Sequence, residues 1–324
     1  MTRQRYADAL NSALREEMQR DETVWLFGED ISTYGGVFKV TRDLREEFGE
    51  HRVRDTPISE QTLTAMAVTA AMTGTRPVLE IMYADFMPLT LDALINQASI
   101  YEYIWAGQVQ MPFVLRTQGG GGAGAGAQHS KSLDVLVAHI PGLKVVAPST
   151  PADAKGLLKA AIRDPHPVIF LEHKLLYNTR GEVPGGEHLC EIGKARVARE
   201  GSDVSIFATS KMVHEALGAA DQLADDGISA EVVDLRSLRP LDNQAIVRSV
   251  EKTNRAVVVN EGWRFCGYGA ELSATIMEQA FDHLDAPVER LGTVDMPIPY
   301  SEPLEAEVLP NAGKITAAAR RALR

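Results

Sequence analysis

The sequence predicts an α/β protein built from two doubly wound domains, and three observations carry that expectation. Short apolar runs bounded by turn residues alternate with stretches whose apolar residues recur at helical spacing, the pattern of βαβ units and a mostly parallel sheet. The alternation is interrupted at Gly181-Glu-Val-Pro-Gly-Gly186 and then resumes. A Gly/Pro-rich break of this kind marks a linker, so domains are expected over residues 1–185 and 186–324. The chain has 324 residues, 45% hydrophobic and 24% charged, which is too long for one small core.

The elements follow in order. Tyr6, Ala9, Leu10, Ala13, Leu14 and Met18 recur with helical period, which predicts an amphipathic helix over about residues 3–20. Val24-Trp-Leu-Phe27 reads as a short buried strand running into Gly28-Glu-Asp-Ile31. Asp55-Thr-Pro-Ile-Ser-Glu60 then enters an Ala-rich helix that ends near Gly74. Ser59 is read as its N-cap, because a hydroxyl can accept from the open amides of a first turn. Gly74 is read as the left-handed residue past its C-terminus. Pro77–Ile81 predicts the next strand, and Leu91, Leu94, Ile95, Ala98, Ile104 and Trp105 predict one helix. Strands are expected at Pro112–Arg116, Leu143–Ala147 and Pro167–Leu171, with a helix over Ala154–Ile162. In the second domain strands are expected at Val204–Phe207, Glu231–Val233, Ala256–Val259 and Val288–Leu291. Helices are expected at Met212–Leu223, Tyr268–Phe281 and from Lys314.

Composition excludes several functions. The chain carries 33 basic and 44 acidic residues for a net charge of -11, which makes it a poor candidate for non-specific binding to nucleic acid or anionic membranes. No apolar run approaches the length that crosses a bilayer. Arg3, Arg5 and Arg15 are mixed with Asp8, Glu16 and Glu17 at the start of the chain, unlike a secretory or transit signal. Cys190 and Cys266 are the only cysteines, which points to reduced thiols in a cytoplasmic compartment.

Chemistry concentrates in two places. Glu60 falls in the first turn of its helix, where the dipole favours a carboxylate; a capping acid is the plain alternative. Six glycines lie between positions 119 and 126, followed by Gln128-His129-Ser130. Because this tract continues a strand, it is expected to stay inside the first α/β pattern as a site loop at a strand's carboxyl end, with glycine allowing close backbone approach. It matches neither the dinucleotide fingerprint nor a P-loop. His129 can donate to an oxygen that turns negative during a reaction; a structural histidine is the plain alternative. No zinc spacing and no Gly-x-Ser-x-Gly elbow occur.

Asp55-Thr-Pro-Ile-Ser-Glu60, Ala127-Gln-His-Ser130, Ile140-Pro-Gly-Leu-Lys-Val-Val146, the Asp153–Leu158 helix and Val233-Asp-Leu-Arg236 together resemble a known family. It is the β subunit of the thiamine-diphosphate-dependent 2-oxo acid dehydrogenase E1 component (pyruvate, branched-chain or acetoin). The resemblance covers nearly the whole chain. It implies a pyrimidine-binding, transketolase-like domain followed by a transketolase C-terminal-like domain. It assigns Glu60 to the aminopyrimidine N1′ of the cofactor, where a carboxylate sharing a proton with the ring helps the thiazolium carbon lose its own. It assigns Phe86 to packing on the aminopyrimidine, and His129 to decarboxylation or acyl transfer. It also implies a structural potassium ion on loop carbonyls at Phe113, Ala161, Ile162, Asp164 and His166. The family holds the diphosphate and Mg²⁺ through a Gly-Asp-Gly segment, which this chain lacks; Gly28-Glu-Asp30 is the nearest stretch. That half of the site is therefore expected from an E1 α subunit in an α2β2 tetramer, with a lipoyl-bearing E2 as acyl acceptor. A split transketolase-type subunit and a non-catalytic partner-binding paralogue stay open as alternatives.

Overall fold

The computed structural model describes all 324 residues. The chain divides into two compact units, Met1–Gly119 with Leu136–Ile192, and Gly120–Val135 with Gly193–Arg324. Elements are numbered in chain order.

The first unit opens with β1 (Thr2–Arg5), and α1 begins only at Tyr6 (Tyr6–Arg20). The helix expected from about residue 3 is shortened because Thr2–Arg5 pairs antiparallel with β8 (Arg180–Val183), a ladder that local periodicity cannot reveal. Six parallel strands follow: β2 (Val24–Gly28), β3 (Val53–Asp55), β4 (Arg76–Ile81), β5 (Val114–Gly119), β6 (Lys144–Val146) and β7 (Val168–His173). They lie in the order β6-β7-β5-β4-β2-β3. The central strands are buried along nearly their whole length, as expected where a parallel sheet is covered on both faces.

Tyr6, Leu10, Leu14 and Met18 of α1 share a core with Leu157, Leu158 and Ile162 of α7 (Pro151–Arg163). Thr150 caps α7 by accepting from the Asp153 amide, and Pro151 takes the first turn, where its missing N–H costs nothing. α2 (Leu44–Phe48) is a short turn before β3. α3 spans Glu60–Met72. Ser59 departs from expectation: its hydroxyl donates to Thr62 Oγ1 at 2.9 Å and accepts no backbone amide. Gly74 does adopt φ +93°, and no atom lies near where its Cβ would stand, so backbone conformation alone selects glycine there.

The single helix expected through residues 91–105 is broken. A 3₁₀ segment (Ala84–Thr90) leads to α4 (Leu91–Ala93), a π turn (Leu94–Ala98) and α5 (Tyr101–Ile104). The Ser99 hydroxyl donates back to the Ile95 carbonyl at 2.8 Å, a bond that bends helices.

The glycine tract adds a feature to the expected loop. It follows β5 directly, as expected; by packing, Gly120–Val135 groups with the second unit, and the chain returns to the first at Leu136, inside α6 (Asp134–Ala138).

The second unit has five strands: β9 (Arg196–Arg199), β10 (Val204–Ala208), β11 (Ala230–Asp234), β13 (Ala256–Trp263) and β14 (Glu289–Thr293). Their order is β14-β13-β10-β11-β9, with only β9 antiparallel to its neighbour. β12 (Ser237–Arg239) follows β11. α8 (Lys211–Asp225) and α12 (Ala312–Ala322) share the Ala-rich core over β10, β11 and β13. α9 (Asn243–Thr253), absent from the sequence expectation, is capped by Asp242, which accepts from Ala245. Its buried face is only Ile246, Ser249, Val250 and Thr253, half of it polar, which explains why periodicity misses it. α10 (Tyr268–Ala280) and α11 (Glu302–Val308) complete the unit. No helix is long and apolar enough to cross a membrane, and no disulfide joins Cys190 to Cys266.

Candidate active site

In the first unit the strand order reverses at β2: the chain moves from β2 to β3 on one side and then to β4 on the other. Such a switch point leaves a crevice at the carboxyl ends of the strands, where open α/β sheets bind ligands. Two carboxylates meet there. Glu60 is the first residue of α3, the helix joining β3 to β4, and is only 7% exposed. Glu29 follows the last residue of β2. Burial pushes the Glu29 carboxyl above its ordinary range, and the charges of Glu60 and then Asp30 push it further. Glu29 is not among the residues the sequence singles out, because the reversal at β2 that makes this strand end special is visible only in the strand order.

Asp55, the last residue of β3, ties the same loop down. Its carboxylate accepts from the amides of Ser32 and Thr33 at 2.6 and 3.1 Å and from the Thr33 hydroxyl at 2.8 Å. Burial works against that charge, but these hydrogen bonds outweigh it and hold the carboxyl below its ordinary range. Phe86 lies on the 3₁₀ segment just after β4, beside the switch point, and is 37% exposed. A ring that open is not plain core and presents a surface to pack on.

Below these loops, Arg116 of β5 joins three adjacent strands. Its Nε and Nη2 donate to Glu172 of β7 at 2.7 and 2.9 Å, and its Nη1 donates to Glu80 of β4 at 2.7 Å. The Tyr177 hydroxyl donates to Glu172 at 2.6 Å. Burial raises the Glu172 carboxyl to about 7 against the pull of Arg116, since one cation faces two carboxylates.

His129 belongs to the second unit and is half-buried, whereas Glu60 and Phe86 belong to the first. The glycine tract that carries it is held by two glutamates. Glu261 accepts from the Gly121 amide and the Ser132 hydroxyl, each at 2.8 Å. Glu305 accepts from the Gly122 and Gly124 amides at 2.7 and 3.0 Å. These amides are already occupied, so the tract is not built to grip a diphosphate.

Asp134, at the far end of the same loop, accepts from Asn260 at 2.6 Å. Burial lifts its carboxyl to about 6. A raised carboxyl stabilises the fold fully at low pH and withdraws that stability as pH rises through the folded value. Between pH 4 and pH 6 this site is expected to remove on the order of 3 kcal/mol. Asp134→Asn is expected to flatten that part of the curve in chemical denaturation; an unchanged slope would rule the site out as its source.

The five positions assigned to potassium fall into one region of the first unit. The Ile162 and Asp164 carbonyls accept from Arg76 Nη1 at 2.9 and 3.2 Å. The Phe113 carbonyl accepts from Val168, and that of Ala161 from Asp164. His166 Nδ1 stands 3.3 Å from Glu102. Oxygen donors of this kind suit a hard cation, but Arg76 already brings a positive charge to two of them. No cluster of three or more His, Cys, Asp or Glu side chains is arranged to hold a metal.

Comparison with known proteins agrees with this architecture. Residues 3–180 match the pyrimidine-binding domain of transketolase, and residues 193–315 match the transketolase C-terminal domain. The rice mitochondrial pyruvate dehydrogenase E1 component subunit beta-2 is 49% identical over 319 residues, covering 97% of this chain and 85% of the relative. The Bacillus subtilis acetoin:2,6-dichlorophenolindophenol oxidoreductase subunit beta is 46% identical over 321 residues, covering 95% of this chain and 94% of the relative. The Rickettsia conorii pyruvate dehydrogenase E1 subunit beta is 44% identical over 314 residues, covering 97% and 96%. A solved structure described as a split-gene transketolase, inactive beta4 tetramer, superposes with a TM-score of 0.80 at 25% identity, over 98% of this chain and 97% of its own. With both domain models matched in order and near-full-length identity to these subunits, the chain belongs to the transketolase-like family of 2-oxo acid dehydrogenase E1 β subunits.

Proposed function

We propose that this chain is the β subunit of the E1 component of a 2-oxo acid or acetoin dehydrogenase complex, active with an α subunit in an α2β2 assembly. One observation carries the reading: a buried carboxylate, Glu60, stands at a helix start on the switch point of a domain of the pyrimidine-binding type. Thiamine diphosphate, when bound, supplies a carbon nucleophile for decarboxylation. Glu60 would hold the proton at the ring nitrogen of its aminopyrimidine, and the open ring of Phe86 would pack on that heterocycle. His129 would serve acyl transfer to a lipoyl-bearing E2. The α subunit would hold the diphosphate and Mg²⁺, because the amides of the glycine tract are taken by Glu261 and Glu305. Oxidative decarboxylation proceeds in a cytoplasmic-type reducing compartment on this reading.

Calorimetry tests the division of labour. The purified chain alone is expected to bind thiamine diphosphate weakly, and the coexpressed α–β pair tightly; stoichiometric tight binding by the lone chain would refute the scheme. A split transketolase is the second reading, favoured by the solved structure of that description. Ketol transfer to a sugar phosphate without lipoyl dependence would establish it instead.

The potassium site is proposed on the carbonyls named above, sharing two of them with Arg76. Exchanging sodium for potassium is then expected to raise the thermal midpoint of the chain by a few degrees. Identical midpoints in the two salts would remove the ion from the scheme.

A further inference from the structure

The glycines at 120, 122, 124 and 126 have φ of +92°, +86°, +62° and +66°. Left-handed residues at every second position turn successive N–H groups toward one side, and such concavities bind anions. Here the anions belong to the chain itself. Glu305 is 1% exposed and Glu261 is 8% exposed, and their carboxylates take the amides of Gly121, Gly122 and Gly124. The Ser132 hydroxyl closes on Glu261, and the Gly120 amide donates to the Lys131 carbonyl at 3.2 Å. Both ends of the segment bearing His129 are thereby fixed.

The glycines are also required sterically. A Cβ on Gly121 would stand 2.7 Å from Leu309, and one on Gly126 would stand 2.2 Å from the Tyr300 ring. The stretch from Tyr300 to Leu309, with α11 and Glu305 in its middle, therefore packs directly onto the tract. Hydrogen bonds from backbone amides to a carboxylate are about twice as strong as neutral ones. A buried carboxylate also penalises any rearrangement that leaves it without donors.

We propose that Glu305, assisted by Glu261, is a positioning residue for His129: an internal anion that sets the conformation of the 120–132 loop. This rests on the assignment of His129 to acyl transfer, and the test separates the two. Three variants, Glu305→Ala, Glu305→Gln and His129→Ala, are to be made in the full chain and reconstituted with the α subunit. Hydrogen exchange of the peptide spanning the tract reads the clamp, and acyl transfer to a lipoyl domain reads its purpose.

Glu305→Ala is expected to speed exchange across Gly121–Gly124 and to lower the kcat of acyl transfer about 100-fold, the scale of an ångström-sized misplacement. Binding of thiamine diphosphate should be unchanged. Millimolar formate or acetate, refilling the vacated carboxylate position, should restore part of the rate to Glu305→Ala and none to Glu305→Gln, whose amide fills the space. Combined with His129→Ala, the Glu305→Ala change should add little further loss, since both act through one group.

Unchanged exchange in Glu305→Ala, or an additive loss in the double variant, overturns the inference. If His129→Ala itself transfers acyl groups normally, the reading of His129 fails while exchange still decides the clamp. Should the Glu305 variants not fold, the wild-type chain suffices, because rapid exchange of the Gly122 and Gly124 amides would contradict the clamp.

Discussion

Replacing Glu60 with Gln in the reconstituted α–β assembly is expected to lower turnover by about 10²–10⁴-fold, the usual contribution of a positioned proton-transfer group. The subunits should still co-purify. The substitution keeps the shape of the side chain at the first position of α3 and removes only its charge and its ability to share a proton. At this place charge is the chemistry. The charge of Glu60 is felt across the crevice, since its repulsion helps to raise the Glu29 carboxyl. Losing one of two repelling carboxylates should leave thermal stability equal or slightly raised. Loss of turnover with intact stability therefore separates a proton-handling Glu60 from a mere cap. Near-normal turnover in a fully assembled complex would remove Glu60 from the mechanism.

The contrast between Glu60 and the glycine tract shows what a single sequence reveals about this fold. Glu60 was legible because its signals are local: an extended entry, a turn, an Ala-rich helix and Gly74 at its end. The alternation that gives the two sheets is local as well. What holds the tract is not legible, because its partners Glu261 and Glu305 stand more than a hundred residues downstream, and glycine itself carries no pattern of burial. β1 was hidden for the same reason, since its partner lies at Arg180–Val183. Ser59 fails as a cap although its residue type and position are right: its hydroxyl is turned to Thr62, and no first-turn amide donates to it. Glu29 needed the strand order, since the acid follows an ordinary buried strand and only the reversal at β2 makes that end special.

Arg116 was the most consequential residue to remain unread, and its removal is expected to have the largest effect on stability. It interrupts an apolar strand with a charge whose partners stand 36 and 56 residues away, so sequence alone gives no hint that the charge is neutralised. Its side chain is 2% exposed, and those of Glu80 and Glu172 are 8% and 0% exposed. Arg116→Met is expected to cost about 3–5 kcal/mol, the range for stranding a buried partner, read as a lower midpoint in chemical denaturation. The sign of the pH dependence follows from Glu172, left behind without its cation. Burial already holds Glu172 at about 7 with the guanidinium in place. Without it the Glu172 carboxyl is pushed higher still, and a raised carboxyl gives up stability as pH rises through its folded value. The variant should therefore be hurt most at pH 8 and recover partly toward pH 5.5. Adding Glu80→Gln and Glu172→Gln to Arg116→Met should return a large part of the loss at pH 8, because the penalty lies in the unpaired charges and not in the missing contacts. If the single variant is as stable as the wild type at pH 8, or if the triple variant is no better than the single, the three strands are held by their apolar packing and the buried charges contribute nothing to the sheet beneath the crevice.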